Sequence, residues 1–136
     1  MSEKSILAEL EARAQTDPHA CYQLAEALLT GDHWGVTITK DEPRAAHWYG
    51  KAAEAGHRDA LYELGFMHLL GEGIPHNPAR GVELMIAAAE HDYDVPMRVL
   101  ADSFRTGQFG VTPDEALAKK WADRLEAHRR ANPSGD

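Results

Sequence analysis

The sequence predicts an all-α protein in which helical hairpins of one repeated design stack side by side. Three copies of a common pattern align when Leu24, Leu64 and Leu100 share one column, at steps of 40 and 36 residues. Within each copy, apolar and small residues recur at spacings of three and four, the period of one helix face, whereas strands would alternate by two. Glycines and prolines stand where helices of that length would have to end or begin. The internal repeat, the helical spacing and the positions of glycine and proline all predict the same fold class.

Length and composition fit a single folded domain. The chain has 136 residues, of which 43% are hydrophobic and 26% charged, as is ordinary for globular proteins. A formal charge of -8 disfavours nucleic acid and anionic membranes as partners. The single cysteine, Cys21, excludes an intramolecular disulfide, and the longest apolar run, Leu84 to Ala89, is far too short to cross a bilayer. With no secretory apolar core near the N-terminus, we expect a cytoplasmic protein.

The elements follow in order along one domain of residues 1–128. Residues 3–15 should form a leading helix that covers the exposed end of the first helix pair, with Ile6, Leu10 and Ala14 on its packing side. Three helix pairs are then expected at about 18–57, 58–93 and 94–128. Residues 129–136 carry no packing face and are expected to be a flexible tail.

Helix ends are marked chemically. N-cap side chains precede prolines at Asp17-Pro18, Asn77-Pro78 and Thr112-Pro113, a pairing typical of a first helical turn. The first helix of each pair should stop at a glycine, because glycine accepts the left-handed backbone that closes a helix; these glycines are Gly31, Gly71 and Gly107. The first copy carries extra residues, 32–40, before its second helix.

Two stretches carry a specific motif. Residues 60–75 read ALYELGFMHLLGEGIP, and residues 45–57 read AAHWYGKAAEAGH. Together they resemble the first and second helices of a Sel1-like repeat, a relative of the tetratricopeptide repeat, and the resemblance extends over about residues 18–128. The third copy departs from it, with Pro96 in the alanine column and no alanine pair after Trp121. The resemblance implies a right-handed alpha-alpha superhelix of about three helix pairs behind an N-terminal capping helix, with the first helices lining a concave groove.

Candidate partner-binding residues lie on the side of the first helices away from their packing columns. Aromatic side chains beside charges suit a protein surface as partner. The candidates are Tyr22, Glu26 and Leu29 in the first copy, Asp59, Tyr62, Phe66 and Leu69 in the second, and Arg98, Asp102 and Arg105 in the third.

Other interpretations of these residues stay open. Tyr22 and Tyr62 occupy a column where such repeats hold a packing aromatic residue. The three charged residues of the third copy have the spacing of an exposed intrahelical ion-pair set. Trp34, in the enlarged first loop, is either a further partner contact or a local core residue folded over the end of the first helix pair.

No catalytic, metal or cofactor site is predicted. The eight histidines include no pair at spacing four, which is the spacing of a helical metal site. Gly71-Glu72-Gly73 has neither the preceding strand nor the Gly-Lys-Ser/Thr ending of a phosphate loop. Cys21 lies in a packing column and is expected to be a small buried residue rather than a nucleophile.

The predicted function is therefore binding of another protein, without catalysis. The most specific hypothesis is an immunity protein that neutralises a bacterial toxin, because the chain is similar to short bacterial Sel1-like proteins of that kind and its acidity would suit a basic toxin. A signalling or assembly adaptor is the alternative of the same class. A small-ligand or metal-dependent enzyme that uses the histidine-rich loops is the alternative of another class.

Overall fold

The protein is built from helices that follow one another in a serial stack. The computed structural model describes residues 1–134. Within them the helices are α1 (Glu3–Ala14), α2 (Pro18–Thr30), α3 (Glu42–Glu54), α4 (Arg58–Leu70), α5 (Pro78–Ala89), α6 (Asp94–Thr106) and α7 (Glu115–Ala131), with a 3-10 turn at Gln108–Gly110 and a small hairpin of β1 (Asp32–His33) and β2 (Val36–Thr37).

Each helix packs mainly on the helices before and after it in sequence. The pairs α2/α3, α4/α5 and α6/α7 are the three predicted hairpins, and α1 lies against α2. Ile6, Leu10 and Ala14 are buried in the first core cluster, as the leading-helix prediction required. The predicted all-α superhelix is confirmed.

The three repeats close their loops with the same hydrogen bond. In each repeat, the backbone N–H of the N-cap residue of the second helix donates to the carbonyl oxygen of the residue three before the closing glycine. The bonds run from Asp41 to Leu28 at 2.9 Å, from Asn77 to His68 at 2.9 Å and from Asp114 to Phe104 at 2.8 Å. The extra residues of the first loop therefore leave this loop-closing bond unchanged.

Helix ends follow the predicted punctuation with one correction. Gly31, Gly71 and Gly107 end the first helices with left-handed φ values of 77°, 72° and 78°. Asp17 and Asn77 cap α2 and α5 as predicted. The predicted cap at Thr112 is wrong: α7 begins two residues later, where the side chain of Asp114 accepts from the backbone N–H of Leu117 at 3.0 Å. The proline in the alanine column, Pro96, lies in the first turn of α6, where its missing N–H has no helical partner to lose.

Two glycines let α4 and α5 approach closely. A Cβ atom on Gly81 would lie 2.7 Å from Leu69 Cδ2, and one on Gly65 would lie 3.1 Å from the carbonyl oxygen of Gly81. Both distances are too short for an unstrained methyl group. The second repeat therefore depends on the absence of side chains at this contact.

The C-terminal helix is longer than the sequence indicated. Residues 129–131, assigned to a flexible tail, form the last turn of α7, which ends at Ala131. The rest of the tail prediction falls partly on residues 135–136, which lie outside the described residues. Among residues 1–134, no helix is long and apolar enough to cross a membrane.

Candidate functional site: the α2–α4 face

A stack of three rings joins the first two repeats. The rings of Tyr22 on α2 and His57 at the start of α4 are stacked with centroids 4.6 Å apart, and the ring of His19 stacks on the other two at 5.9 Å and 5.4 Å respectively. Together with the acidic and phenolic groups described next, these rings form a surface that we call the α2–α4 face.

His57 has a fixed protonation pattern in this stack. Its Nδ1 accepts from the backbone N–H of Ala60 at 3.2 Å and so caps α4. The remaining ring proton must then lie on Nε2, which is 3.1 Å from Nδ1 of His19 and donates to it. Burial is the main cause that lowers the pKa of His57 below its ordinary value. The capping role of Nδ1 requires the neutral ring, since a protonated imidazole has no acceptor nitrogen.

Tyr49 supplies a buried phenol to the face. Its hydroxyl donates to Glu26 Oε1 at 3.2 Å, and the residue is fully buried. Burial, followed by the charges of Glu26 and Glu63, raises the pKa of the Tyr49 phenol well above its usual range. The phenol therefore stays protonated and donates to Glu26.

Glu63 is an uncompensated carboxyl group. Burial, and the nearby charges of Glu26 and Asp59, raise its pKa to about 7. Within residues 1–134, no lysine or arginine lies within ion-pair distance of Glu26 or Glu63. Arg58, at the start of α4, instead pairs with Asp59 at 3.2 Å and lies 4.1 Å over the ring of Tyr93. The face thus presents negative charge without an internal cation.

A second aromatic group continues from the face toward the third repeat. Tyr62 contacts Phe66 at 5.7 Å and Tyr93 at 5.8 Å between centroids, and Phe66 contacts Phe109 at 5.5 Å, all edge to face. Tyr62 and Phe66 are only partly buried and pack against the second core cluster. They therefore have a packing role and still leave some ring surface open.

The prediction that Leu69 is a partner-binding residue is wrong. It is 2% exposed, because the missing side chain of Gly81 makes room for it beneath α5. A residue in this position offers no surface to a partner. Leu29, its counterpart in the first repeat, is partly buried against the first core cluster.

The charged candidates of the third repeat do not join the α2–α4 face. Arg105 pairs with Asp102 at 3.6 Å in an exposed pair on α6, as the ion-pair alternative described. Both residues border a cavity between α6 and α7, together with Glu115 and Lys119. Arg98 is exposed on the same helix.

Trp34 projects from the tip of the β1–β2 hairpin. Its side chain is 86% exposed, so the alternative of a local core residue is wrong. Tyr22, Glu26, Asp59, Tyr62 and Phe66 are the predicted site residues that the structure brings to or beside the α2–α4 face.

Sequence reasoning missed four members of the face: His19, Tyr49, His57 and Glu63. Tyr49 belongs to a second helix, and Glu63 lies next to Tyr62 in a column that holds Gln23 in the first repeat. The sequence does show an acidic residue in each of the first two repeats, Glu26 and Glu63. Only the placement of α2 beside α4 shows that the charge of Glu26 affects the pKa of Glu63.

The structure describes no metal centre. Within residues 1–134, no group of three or more His, Cys, Asp or Glu side chains is arranged to hold a metal ion. Cys21 is buried and its Sγ donates to the carbonyl oxygen of Ala14 at 3.1 Å. Burial raises the pKa of that thiol, which disfavours the nucleophilic thiolate.

Helical hairpins in serial contact, with loops closed by one repeated bond, define an α-solenoid of short repeats. The Sel1 repeat family model matches residues 18–57, 58–93 and 97–125. The chain belongs to the Sel1 repeat family. Proteins built from this repeat are protein–protein interaction modules.

Solved structures of similar shape agree with that assignment. The crystal structure of a Sel1 repeat protein from Oxalobacter formigenes has a TM-score of 0.74 and 26% identity, over 88% of each chain. Cysteine-rich protein B of Helicobacter pylori has a TM-score of 0.64 and 20% identity, over 74% of this chain and 73% of that one. The protective antigen c5321 of uropathogenic Escherichia coli strains has a TM-score of 0.61 and 22% identity, over 89% of this chain but only 33% of its own. The last two show the fold alone.

Proposed function

We propose that this chain binds a basic segment of a partner protein on the α2–α4 face. The observation that carries the proposal is the pair Glu26 and Glu63, two carboxyl groups without an internal cation, bordered by Tyr22, Tyr49 and Tyr62. The proposal contains no catalytic step.

A partner cation fits this surface for electrostatic reasons. A lysine or arginine beside Glu26 and Glu63 would favour the ionised form of Glu63, whose pKa the free protein holds near 7. The ring faces of Tyr22 and Tyr62, which are only partly buried, attract cations as well. Tyr49 is fully buried and contributes through its hydrogen bond to Glu26. Partial burial of the carboxyl groups strengthens the attraction, since solvent screens it less than at a fully exposed site.

The more specific proposal is an immunity role against a basic toxin, carried out in the cytoplasm. Its support is the formal charge of -8 together with the uncompensated carboxyl groups of the face, because a basic toxin would be attracted over a long range and then held at short range. An adaptor role would use the same face and differs only in the partner.

A double variant that replaces both carboxyl groups with neutral amides tests the binding face. The partner is first isolated with the tagged full-length chain from its source cells, and its affinity is measured by titration calorimetry. We expect Glu26→Gln/Glu63→Gln to weaken binding at least tenfold, about 1.4 kcal/mol. The matched control is Glu54→Gln/Glu115→Gln, which makes the same two chemical changes at exposed positions on α3 and α7. Equal affinity of the two double variants would contradict the proposal.

A growth assay tests the immunity role separately. If the isolated partner kills cells that lack this protein, and co-expression of this protein restores growth, the immunity role is supported. A partner without toxicity assigns the chain to the adaptor class and leaves the binding face in place.

A further inference from the structure

The hairpin in the first loop has a two-residue turn that its sequence makes unfavourable. His33 pairs with Val36, so Trp34 and Gly35 form the whole turn, with φ values of 52° and 85°. Positive φ at both positions is the type I′ turn, in which Asn-Gly is strongly preferred. A tryptophan in the first position is strained, because its Cβ disfavours left-handed backbone.

Exposure adds a second unfavourable feature. The indole of Trp34 is 86% exposed, and its ring contact within the hairpin is an edge-on one with His33 at 6.1 Å. Strain and an exposed aromatic ring at one residue are disfavoured for folding, whereas aromatic side chains are enriched among the residues that dominate binding energies.

Trp34 lines two cavities. One, of about 410 Å³, lies between the hairpin and α1, and its lining combines the apolar side chains of Ile6, Leu10 and Val36 with the charged side chains of Glu9 and Arg13. The other, of about 330 Å³, lies between the hairpin and α2 and is bordered by Tyr22, Glu26 and Asp32. Because Tyr22 and Glu26 also belong to the α2–α4 face, the second cavity connects that face to Trp34.

The charge of the second cavity selects the chemistry of its occupant. Its lining contains the carboxyl groups of Glu26 and Asp32 and no lysine or arginine. The first cavity is largely apolar at its wall. A partner segment that fills both cavities would therefore have a cationic side chain for the second cavity and an adjacent apolar side chain for the first.

We propose that Trp34 is a binding residue that holds a partner segment in which a lysine or arginine adjoins an aliphatic or aromatic residue. The cation stacks on the indole above Asp32 and Glu26, and the apolar side chain enters the cavity beside α1. The inference rests on the proposed function and extends its footprint from the α2–α4 face around the hairpin to α1.

A random library of linear twelve-residue peptides, displayed on phage and selected on the full chain, provides the probe. Selected peptides are synthesised and titrated against three proteins: wild type, Trp34→Asn and Leu70→Asn. Asparagine creates the favoured Asn-Gly turn while it removes the indole, so the hairpin is kept. Leu70 is an exposed apolar residue at the end of α4 and serves as the matched control.

We expect enriched peptides to contain a lysine or arginine next to an apolar residue. Their affinity should fall at least tenfold for Trp34→Asn and less than twofold for Leu70→Asn. In the ¹H–¹⁵N spectrum of the wild-type protein, peptide should shift the indole signal of Trp34, identified by its absence in Trp34→Asn, and leave the signal of the buried Trp121 in place. The melting temperature of Trp34→Asn should equal or exceed that of wild type.

Peptides that bind Trp34→Asn as tightly as wild type, but lose affinity for Glu26→Gln/Glu63→Gln, overturn the role of the hairpin and leave the proposed function intact. Enriched peptides without a cation, or a selection that enriches none, overturn both. A melting temperature several degrees lower in Trp34→Asn shows that the indole packs in the fold, and this also overturns the inference.

Discussion

Nε2 of His57 lies 3.1 Å from Nδ1 of His19, and this contact ties α2 of the first repeat to the first turn of α4 in the second. The same His57 ring caps α4 through its Nδ1. One neutral imidazole therefore serves both the start of a helix and the boundary between two repeats.

Acid should weaken that boundary. The folded protein lowers the pKa of His57, chiefly by burial, with His19 and Arg58 acting in the same direction and Asp59 and Asp17 opposing them. A histidine whose folded pKa lies below its unfolded value contributes stability above the unfolded pKa, about 6.5, and loses it as pH falls toward the folded pKa. Asparagine also caps helices but does not titrate.

The variant His57→Asn should therefore keep the helix cap and lose the pH dependence. The free energy of unfolding of the wild type should drop more between about pH 7 and pH 5 than that of His57→Asn, as measured by urea denaturation. His57→Ala, which loses the cap, should be destabilised by about 1 kcal/mol even at neutral pH. Parallel pH profiles of wild type and His57→Asn would refute the assignment.

Glu63 should show the opposite pH dependence. Its folded pKa of about 7 exceeds the unfolded value, so the folded state binds more protons between about pH 4.5 and pH 7, and stability falls as pH rises through that window. Glu63→Gln should therefore be more stable than wild type near pH 8 by about 1–2 kcal/mol, a figure reduced for the solvent that still reaches the carboxyl group. Near pH 4 the two proteins should unfold at the same urea concentration. If the variant instead loses stability near pH 8, the carboxyl group has a partner that favours its charge.

Two glycine-to-alanine changes should have opposite signs. Gly81→Ala places a Cβ 2.7 Å from Leu69 and should destabilise the fold by about 1–3 kcal/mol. Gly50, inside α3, has open space where a Cβ would lie, and Gly50→Ala should stabilise by about 0.5–1 kcal/mol because alanine is the better helix former. Thermal unfolding of both variants against wild type is the measurement. If both changes destabilise the protein, the close contact with Leu69 does not explain the effect of Gly81→Ala.

Phe66 should affect stability as well as affinity. Its ring contacts Tyr62 and Phe109, so Phe66→Ala should cost about 2 kcal/mol of folding free energy, less than for a fully buried phenylalanine. Arg98→Ala, an exposed change on α6, should leave stability within about 0.5 kcal/mol. An unfolding midpoint of Phe66→Ala equal to that of wild type would identify the ring as a pure surface anchor.

The repeat register made the fold predictable, whereas side-chain exposure depended on contacts between helices. The column of Leu24, Leu64 and Leu100 located each helix pair because the loop-closing bonds keep the same register in all three copies. The burial of Leu69 was not predicted, because it follows from the absence of a side chain at Gly81, a residue of another helix. The raised pKa of Glu63 was not predicted either, because it arises from burial and from charges on two helices. The burial of a side chain and the pKa of a carboxyl group depend on distances between different helices, and the spacing of residues within one helix does not give those distances.

The bond from Asp41 to Leu28 has a consequence for how this molecule can diversify. It closes the base of the first loop, and the same bond closes the shorter loops of the other repeats. Residues at the hairpin tip can therefore change identity, or the tip can lengthen, while the helices beneath keep their positions. Under the binding role proposed for Trp34, new recognition specificity can arise at this loop by a few substitutions, without any compensating change in the scaffold.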